Sequence, residues 1–238
     1  MYDYHSHILP GIDDGPADID DSVTMAAALR KAGFSTIYGT PHLIKGSYEA
    51  DNEAVLSAAS TLQTRLNAEN IDLKIFPGRE YYLDEFLGNY LKNPLTLGDT
   101  RYILIEIPNH ASTQLVKETC FRIKCSGFIP MIAHPERCSL IAMAQKQTTV
   151  SRFRFTSNKQ KTLGEKQYET ALLDYLKDIG CAFQGNFGSF DAWYGPDVQQ
   201  TANYLKKMEI YTHFGTDVHS MRGVNRLNLS HTSEAVTK

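Results

Sequence analysis

Tyr102-Ile103-Leu104-Ile105-Glu106-Ile107-Pro108 is the stretch on which the fold turns. Its side chains are apolar and largely β-branched or aromatic at every position but one, the pattern of a buried strand, and Pro108 follows as a breaker. Glu106 is the discordant residue. A buried carboxylate needs a cation or strong hydrogen bonds to offset its desolvation.

Outward from this run, similar segments lie at residues 1–5, 34–40, 73–77, 128–133, 181–186 and 210–215, which makes seven strands with 102–107. Helical stretches fall between them. The clearest is 18–33, with Asp18 as N-cap, Asp20 and Asp21 in the first turn, Ile19, Val23, Ala26 and Ala27 on one face, and Gly33 as the stop. Residues 49–70, 113–126, 165–179 and 196–208 read the same way. Alternating strand and helix implies parallel strands joined by helical crossovers, in a doubly wound sheet or a closed barrel. Pattern alone does not choose between them.

Six of the seven strands run into a His, Asp or Glu: His5-Ser6-His7, Thr40-Pro41-His42, Gly78-Arg79-Glu80, Ile105-Glu106-Ile107, Ala133-His134-Pro135-Glu136-Arg137 and Thr216-Asp217-Val218-His219. Alternation along the first strand aims the His5 and His7 imidazoles the same way. In a parallel barrel the C-terminal strand ends share one face, so these distant residues converge there. Singly, each has an ordinary alternative: His42 and His134 as turn residues beside proline, Glu80 as a helix-start carboxylate, Asp217 as a cap. Jointly they read as a metal centre. Imidazole and carboxylate without thiolate favour Mn²⁺, Fe²⁺ or Zn²⁺, and so many ligands exceed one ion's needs, so two or three ions are expected. His110, His213 and His231 fall outside these turns and take no role.

With 238 residues, 42% apolar and 21% charged, the chain has enough apolar residues for a substantial core, and its net charge of −3 leaves no overall electrostatic footprint for nucleic acid. Cys120, Cys125, Cys138 and Cys181 form no C-x-x-C pair and no C-x₅-R loop, so they read as reduced, inert thiols of a cytoplasmic protein, and a phosphocysteine intermediate is not expected. No apolar run approaches the ~18 residues of a membrane span. Residues 145–166 are polar and basic and read as a surface insertion. The domain is expected over 1–227, with 228–238 as a loose tail.

The opening run His5-Ser6-His7-Ile8-Leu9-Pro10-Gly11-Ile12-Asp13-Asp14-Gly15, followed in order by the five later motifs, resembles the polymerase and histidinol phosphatase (PHP) superfamily. Within it, the run resembles the bacterial manganese-dependent protein-tyrosine phosphatases of capsule and exopolysaccharide loci. The resemblance implies a distorted seven-stranded (β/α)7 barrel with a trinuclear site. By motif position, His5, His7, Glu80 and Asp217 would hold one ion. Glu80, Glu106 and His134 would hold a second, and Asp14, His42 and His219 a third. Asp14 stands where other branches carry histidine, which points to the tyrosine-phosphatase branch and to a catalytic place for Asp14.

The implied chemistry is attack by a metal-activated hydroxide on phosphorus while Arg137 grips phosphate oxygens, with Arg222 or Arg226 as further contacts. The general acid is not identifiable. The implied substrate is phosphotyrosine on the tail of a membrane-linked tyrosine kinase, with no nucleic acid partner and no membrane insertion. Tyr81, Tyr82, Phe187, Phe190, Trp193 and Tyr194 offer an aromatic rim or core packing. Arg79 stands where the branch carries a small residue; a surface salt bridge is the ordinary reading of Arg79, Arg222 and Arg226. A PHP phosphatase of a small phosphorylated metabolite is the nearest rival, and a catalytically silent metal-stabilised binding module is the rival from another class.

Overall fold

Asp18 accepts hydrogen bonds from the Asp20 and Asp21 amides at 3.0 and 2.9 Å and so starts helix α1, Ile19–Lys31. Gly33, at φ +103°, turns the chain out of it. Asp51 caps α2, Asn52–Ala68, through the Ala54 amide, and Ser112 caps α4, Thr113–Cys125, through Leu115. This computed structural model describes residues 1–142 and 171–229. The basic stretch 145–166 and residues 230–238 lie outside them. Asn228 and Leu229, the first residues of the expected tail, are described: Asn228 bonds Asp191, and Leu229 packs against the core.

The described residues form nine strands: β1 Tyr2–Ser6, β2 Thr36–Gly39, β3 His42–Leu43, β4 Lys74–Pro77, β5 Glu80–Tyr82, β6 Tyr102–Glu106, β7 Ile129–Ala133, β8 Ala182–Asn186 and β9 His213–Gly215. All pairings are parallel, in a three-stranded sheet β1-β2-β4 and a six-stranded sheet β3-β5-β6-β7-β8-β9. The seven expected strands are all present. Two short ones, β3 and β5, were not expected. They arise because Pro41, and Pro77 with Gly78, interrupt segments that then resume in register, with the Gly78 amide on the Gly39 carbonyl and the Glu80 amide on that of Pro41. At the other sheet boundary, Asp217 N donates to His5 O at 2.7 Å and His7 N to Val218 O at 3.1 Å.

Alternation sorts each strand's side chains to two sides. On one side Ile37 and Ile75 meet Val23, Ala26 and Leu29 of α1 and Val55, Leu62 and Leu66 of α2. Ile103, Ile105, Ile132 and Phe183 meet Val116 and Ile123 of α4 and Leu172 and Leu176 of α5, Ala171–Asp178. Each such burial contributes about 1.5–3 kcal/mol. On the other side Tyr4, Tyr38, Phe76 and Tyr102 gather around Leu104 and Met131. Tyr38 stacks on Tyr4 and Phe76 at 5.0 and 5.5 Å, and His213 is edge-on to Tyr4 and Tyr102 at 4.3 and 4.8 Å. This aromatic layer fills the floor beneath the polar strand ends. The remaining helices are α3 Leu87–Tyr90, α6 Phe187–Phe190, α7 Pro196–Lys207 and α8 Met221–Val224.

Candidate metal centre

A bulge in β1 between Asp3 and Ser6 resets the alternation, so that Tyr4 joins the aromatic floor while His5 and His7 rise above it with Nε2 atoms 3.2 Å apart. Both imidazoles are fully buried. Glu80, at the start of β5 and registered with His42 on β3, reaches into the same space. Its Oε2 lies 3.2 Å from His5 Nε2, 3.3 Å from His7 Nε2 and 2.9 Å from His42 Nδ1. Its Oε1 lies 3.0 Å from His134 Nε2. Asp217 Oδ1 lies 3.4 and 3.3 Å from His5 and His7 Nε2.

His134 and Asp217 both adopt left-handed backbone, at φ +30° and +53°. For residues with a Cβ that conformation costs about 1–3 kcal/mol and persists where the surroundings impose it, commonly at functional sites. The turn after β1 is held differently. A Cβ on Gly15 would lie 2.3 Å from the His7 carbonyl oxygen, so only glycine lets residues 13–15 fold back over the histidines.

Every expected ligand reaches one of four sets of mutually close donor atoms: His7, Asp14, His42 and His219; His5, His7 and Glu80; His5, His134 and Asp217; His42, Glu80 and Glu106. The first set is the expected third-ion group with His7 added. Glu106 falls in with His42 and Glu80, and His134 with His5 and Asp217, and His134 Nε2 also lies 4.0 Å from Glu106 Oε1.

The donor chemistry fits divalent ions. Glu80 Oε2 is buried with three imidazole nitrogens around it, yet it makes no well-formed hydrogen bond, and His42 Nδ1 is likewise unsatisfied. Such orphaned atoms are costly unless a cation compensates them. Burial disfavours the charged imidazoles, but Glu80 and Asp217 outweigh it and push His5 up to about 9. Glu80 and Asp217 are held well below the carboxylate range despite burial, His5 being the largest opposing cause for each. Ions would displace these protons.

Several supporting residues had no place in the sequence reading. Asp13 Oδ2 accepts from His7 Nδ1 at 2.6 Å, and Gln184 Oε1 lies 2.8 Å from His5 Nδ1, so both rings present Nε2 to the centre. Asn186 Nδ2 donates to Asp217 Oδ2 at 2.7 Å. Asp3, fully buried, ties the Thr216 amide and hydroxyl to β1, at 2.8 and 2.6 Å.

Arg137 donates from Nη1 to Asp217 Oδ2 at 2.8 Å, and its guanidinium lies over the Tyr194 ring at 4.4 Å. It stands beside the ligands. Arg226 packs on Trp193 at 4.6 Å. Arg222 is exposed on α8. Arg79 is not a surface residue: it is 1% exposed, and it faces away from the ligands. Of the aromatic residues, Tyr81, Phe187 and Phe190 are core, and Tyr194 borders the centre. All four cysteines are free thiols.

A parallel α/β scaffold carrying a histidine and carboxylate cluster at its strand ends defines a metallohydrolase-like class. Residues 1–154 match the family model for capsular polysaccharide synthesis, CpsB/CapC, and the chain belongs to that family. Tyrosine-protein phosphatase YwqE of Bacillus subtilis (strain 168) is 32% identical over 238 residues, 99% of this chain and 82% of that protein. The crystal structures of YwqE and of CpsB from Streptococcus pneumoniae, described as unique metal-dependent tyrosine phosphatases, include a match of TM-score 0.76 at 31% identity, covering 94% of this chain and 81% of that one. Histidinol phosphate phosphatase of Lactococcus lactis, solved with zinc, L-histidinol and phosphate, superposes with TM-score 0.55 at 16% identity over 94% of this chain and 89% of that one, a likeness of fold.

Proposed function

We propose that the chain is a metal-dependent protein-tyrosine phosphatase. The carrying observation is Glu80 Oε2 set among three imidazoles with no hydrogen bond of its own, in a family whose named members are tyrosine phosphatases. In this reading the nine strands act as seven staves, β2 with β3 and β4 with β5 each counting as one. The bonds between His5 or His7 and residues 217–218 then close the barrel of a single domain over 1–227. His5, His7, Asp14, His42, Glu80, Glu106, His134, Asp217 and His219 hold two or three ions, manganese by preference.

When bound, such ions supply an activated water at neutral pH and a cationic seat for phosphate oxygens. Arg137 grips non-bridging oxygens with its planar fork, held ready by Asp217 and the Tyr194 ring. Asp13 and Gln184 fix the tautomers of His7 and His5. Asp14, half exposed on the open side, meets the incoming ester. The phenolate of tyrosine, with a conjugate acid pKa of about 10, leaves with modest acid help. The substrate is a phosphotyrosine protein, which we take to be a membrane-linked kinase with its tail in the cytoplasm. No helix among the described residues is long and apolar enough to cross a membrane.

The test is phosphate release from a phosphotyrosine peptide by chelator-stripped protein with Mn²⁺ restored, against histidinol phosphate and nucleotides, with His134→Ala as control. Metal-dependent release from the peptide, lost in the control, is expected. Turnover of the small metabolites alone would make it a metabolite phosphatase, and tight metal binding with no turnover a binding module.

A further inference from the structure

β3 and β5 separate two chemistries. His42 and Glu80, register partners, face the metal centre, while Leu43 and Tyr81, the next register pair, face the other way. On that outer side lies a cavity of about 480 Å³ between β5, the start of α2 and the segment after α3. That volume falls within the range of small-molecule sites. Arg79, Ala50, Asn52, Glu53, Tyr90 and Lys92 form part of its wall.

Arg79 is the unexplained group there. Its Nε donates to Asn52 Oδ1 at 3.0 Å, and its Nη2 donates to the Ala50 carbonyl. Its Nη1 has no hydrogen-bond partner among the described residues. A guanidinium cannot shed its proton to escape burial, so an unpaired one at 1% exposure is costly. Three acids also line the space: Glu53 is exposed in the first turn of α2, and the other two hold groups of their own. Glu49 holds Lys45 Nζ and the Gly46 amide, and Asp51 holds the Ala54 amide.

A second feature points the same way. α2 has 17 residues and begins at this cavity. The first-turn amides of a helix have no intrahelical acceptor, and Asp51 satisfies only that of Ala54, which leaves the amide ends of residues 52 and 53 and the positive end of the helix dipole at the wall. Lys92 adds a third positive group from the opposite side.

We propose that this cavity is a second ligand site, separate from the metal centre, for a small molecule bearing a carboxylate or phosphate group, with the oxyanion on Arg79 and the α2 N-terminus and the remainder against Tyr90. It stands independently of the phosphatase reading, since no metal ligand lines it. Because Arg79 is bonded in sequence to Glu80, occupancy would brace the strand that carries the central carboxylate.

The experiment uses chelator-stripped full-length protein, so that the metal centre has no ions with which to hold an anion. Inorganic phosphate and succinate are titrated separately while melting temperature is followed, with chloride at matched ionic strength as the baseline. Either anion should raise the melting temperature saturably, and phosphate alone or succinate alone would tell which oxyanion the site prefers. Arg79→Met should weaken the apparent affinity at least tenfold, while Lys31→Met, at an exposed cation in the last turn of α1, leaves it unchanged. If Arg79→Met does not fold, Lys92→Met should weaken binding several-fold, and a selenate-soaked crystal should show anomalous selenium beside Arg79. Saturable binding unchanged in both variants, no stabilisation by either anion, or selenium only at the metal centre would each overturn the proposal.

Discussion

Replacing Asp13 with asparagine tests the centre through a residue that is not itself a ligand. Its Oδ2 accepts from His7 Nδ1 at 2.6 Å and from the His42 amide at 2.9 Å, while Oδ1 accepts from the Gly15 amide at 3.0 Å. Both side chains of the His7–Asp13 pair are fully buried. Burial alone would push the Asp13 carboxyl up, but His7 and these amides outweigh it and hold it at about 2 instead of 3.8. That difference corresponds to roughly 2 kcal/mol favouring the carboxylate. Independently, removing the partner that orients a metal-binding histidine costs about 10- to 100-fold in metal affinity, about 1.4–2.7 kcal/mol. Asp13→Asn should therefore bind Mn²⁺ about 10- to 100-fold more weakly in a chelator-competition titration at pH 7.5, with Asp72→Asn, at an exposed carboxylate paired with Arg30, as the neutral control. The sign with pH is fixed: a depressed carboxylate contributes fully above its ordinary value and loses its contribution as pH falls toward 2. Metal loss between pH 8 and 5 then belongs to the imidazoles and should run in parallel in wild type and Asp13→Asn. Affinity within twofold of wild type, with His7→Ala still abolishing binding, would refute the orienting role.

Two further outcomes follow from the floor and rim of the centre. Burial lowers His213 from 6.5 to about 4, so neutral His213 contributes stability that is complete above pH 6.5 and lost as pH falls toward 4. Discounted for the partial exposure of its ring, wild type should lose about 1 kcal/mol more than His213→Phe between pH 7 and 5 in urea unfolding, and equal losses would sink the assignment. Tyr194 lies under Arg137 at 4.4 Å and donates to Asp217 at 3.3 Å. Tyr194→Leu should raise KM for a phosphotyrosine peptide roughly 3- to 30-fold while Tyr194→Phe keeps most of the affinity, from a cation–π contact of about 0.5–2 kcal/mol. Indistinguishable KM values in all three proteins would show that the ring does not position the guanidinium.

What could be read from sequence was what repeats. A polar residue at the end of an apolar strand has a burial cost that composition makes visible, and Glu106 announced itself for that reason. The same logic, applied to Ala182-Phe183-Gln184-Gly185-Asn186, would have found Gln184 and Asn186, which alternate on one side of an otherwise buried strand and hold His5 and Asp217. Asp3 carries the same signal two residues before His5. Asp13 carried none, because Asp-Asp-Gly is ordinary turn chemistry and only the fold-back over His7 gives it a partner. The split strands were hidden for the opposite reason: proline reads as an end, and only the neighbouring ladder shows that β2 and β4 resume beyond it. Arg79 reads as a surface residue because a long cation in a turn sequence is usually solvated. Parity decides otherwise. With Glu80 committed to the ligands, the residue before it must face the opposite side of the wall, where α2 covers it. A carboxylate fixed as a metal ligand in a buried strand therefore assigns its neighbours to the helix-covered side, and a charge found there needs a partner that the strand itself cannot supply.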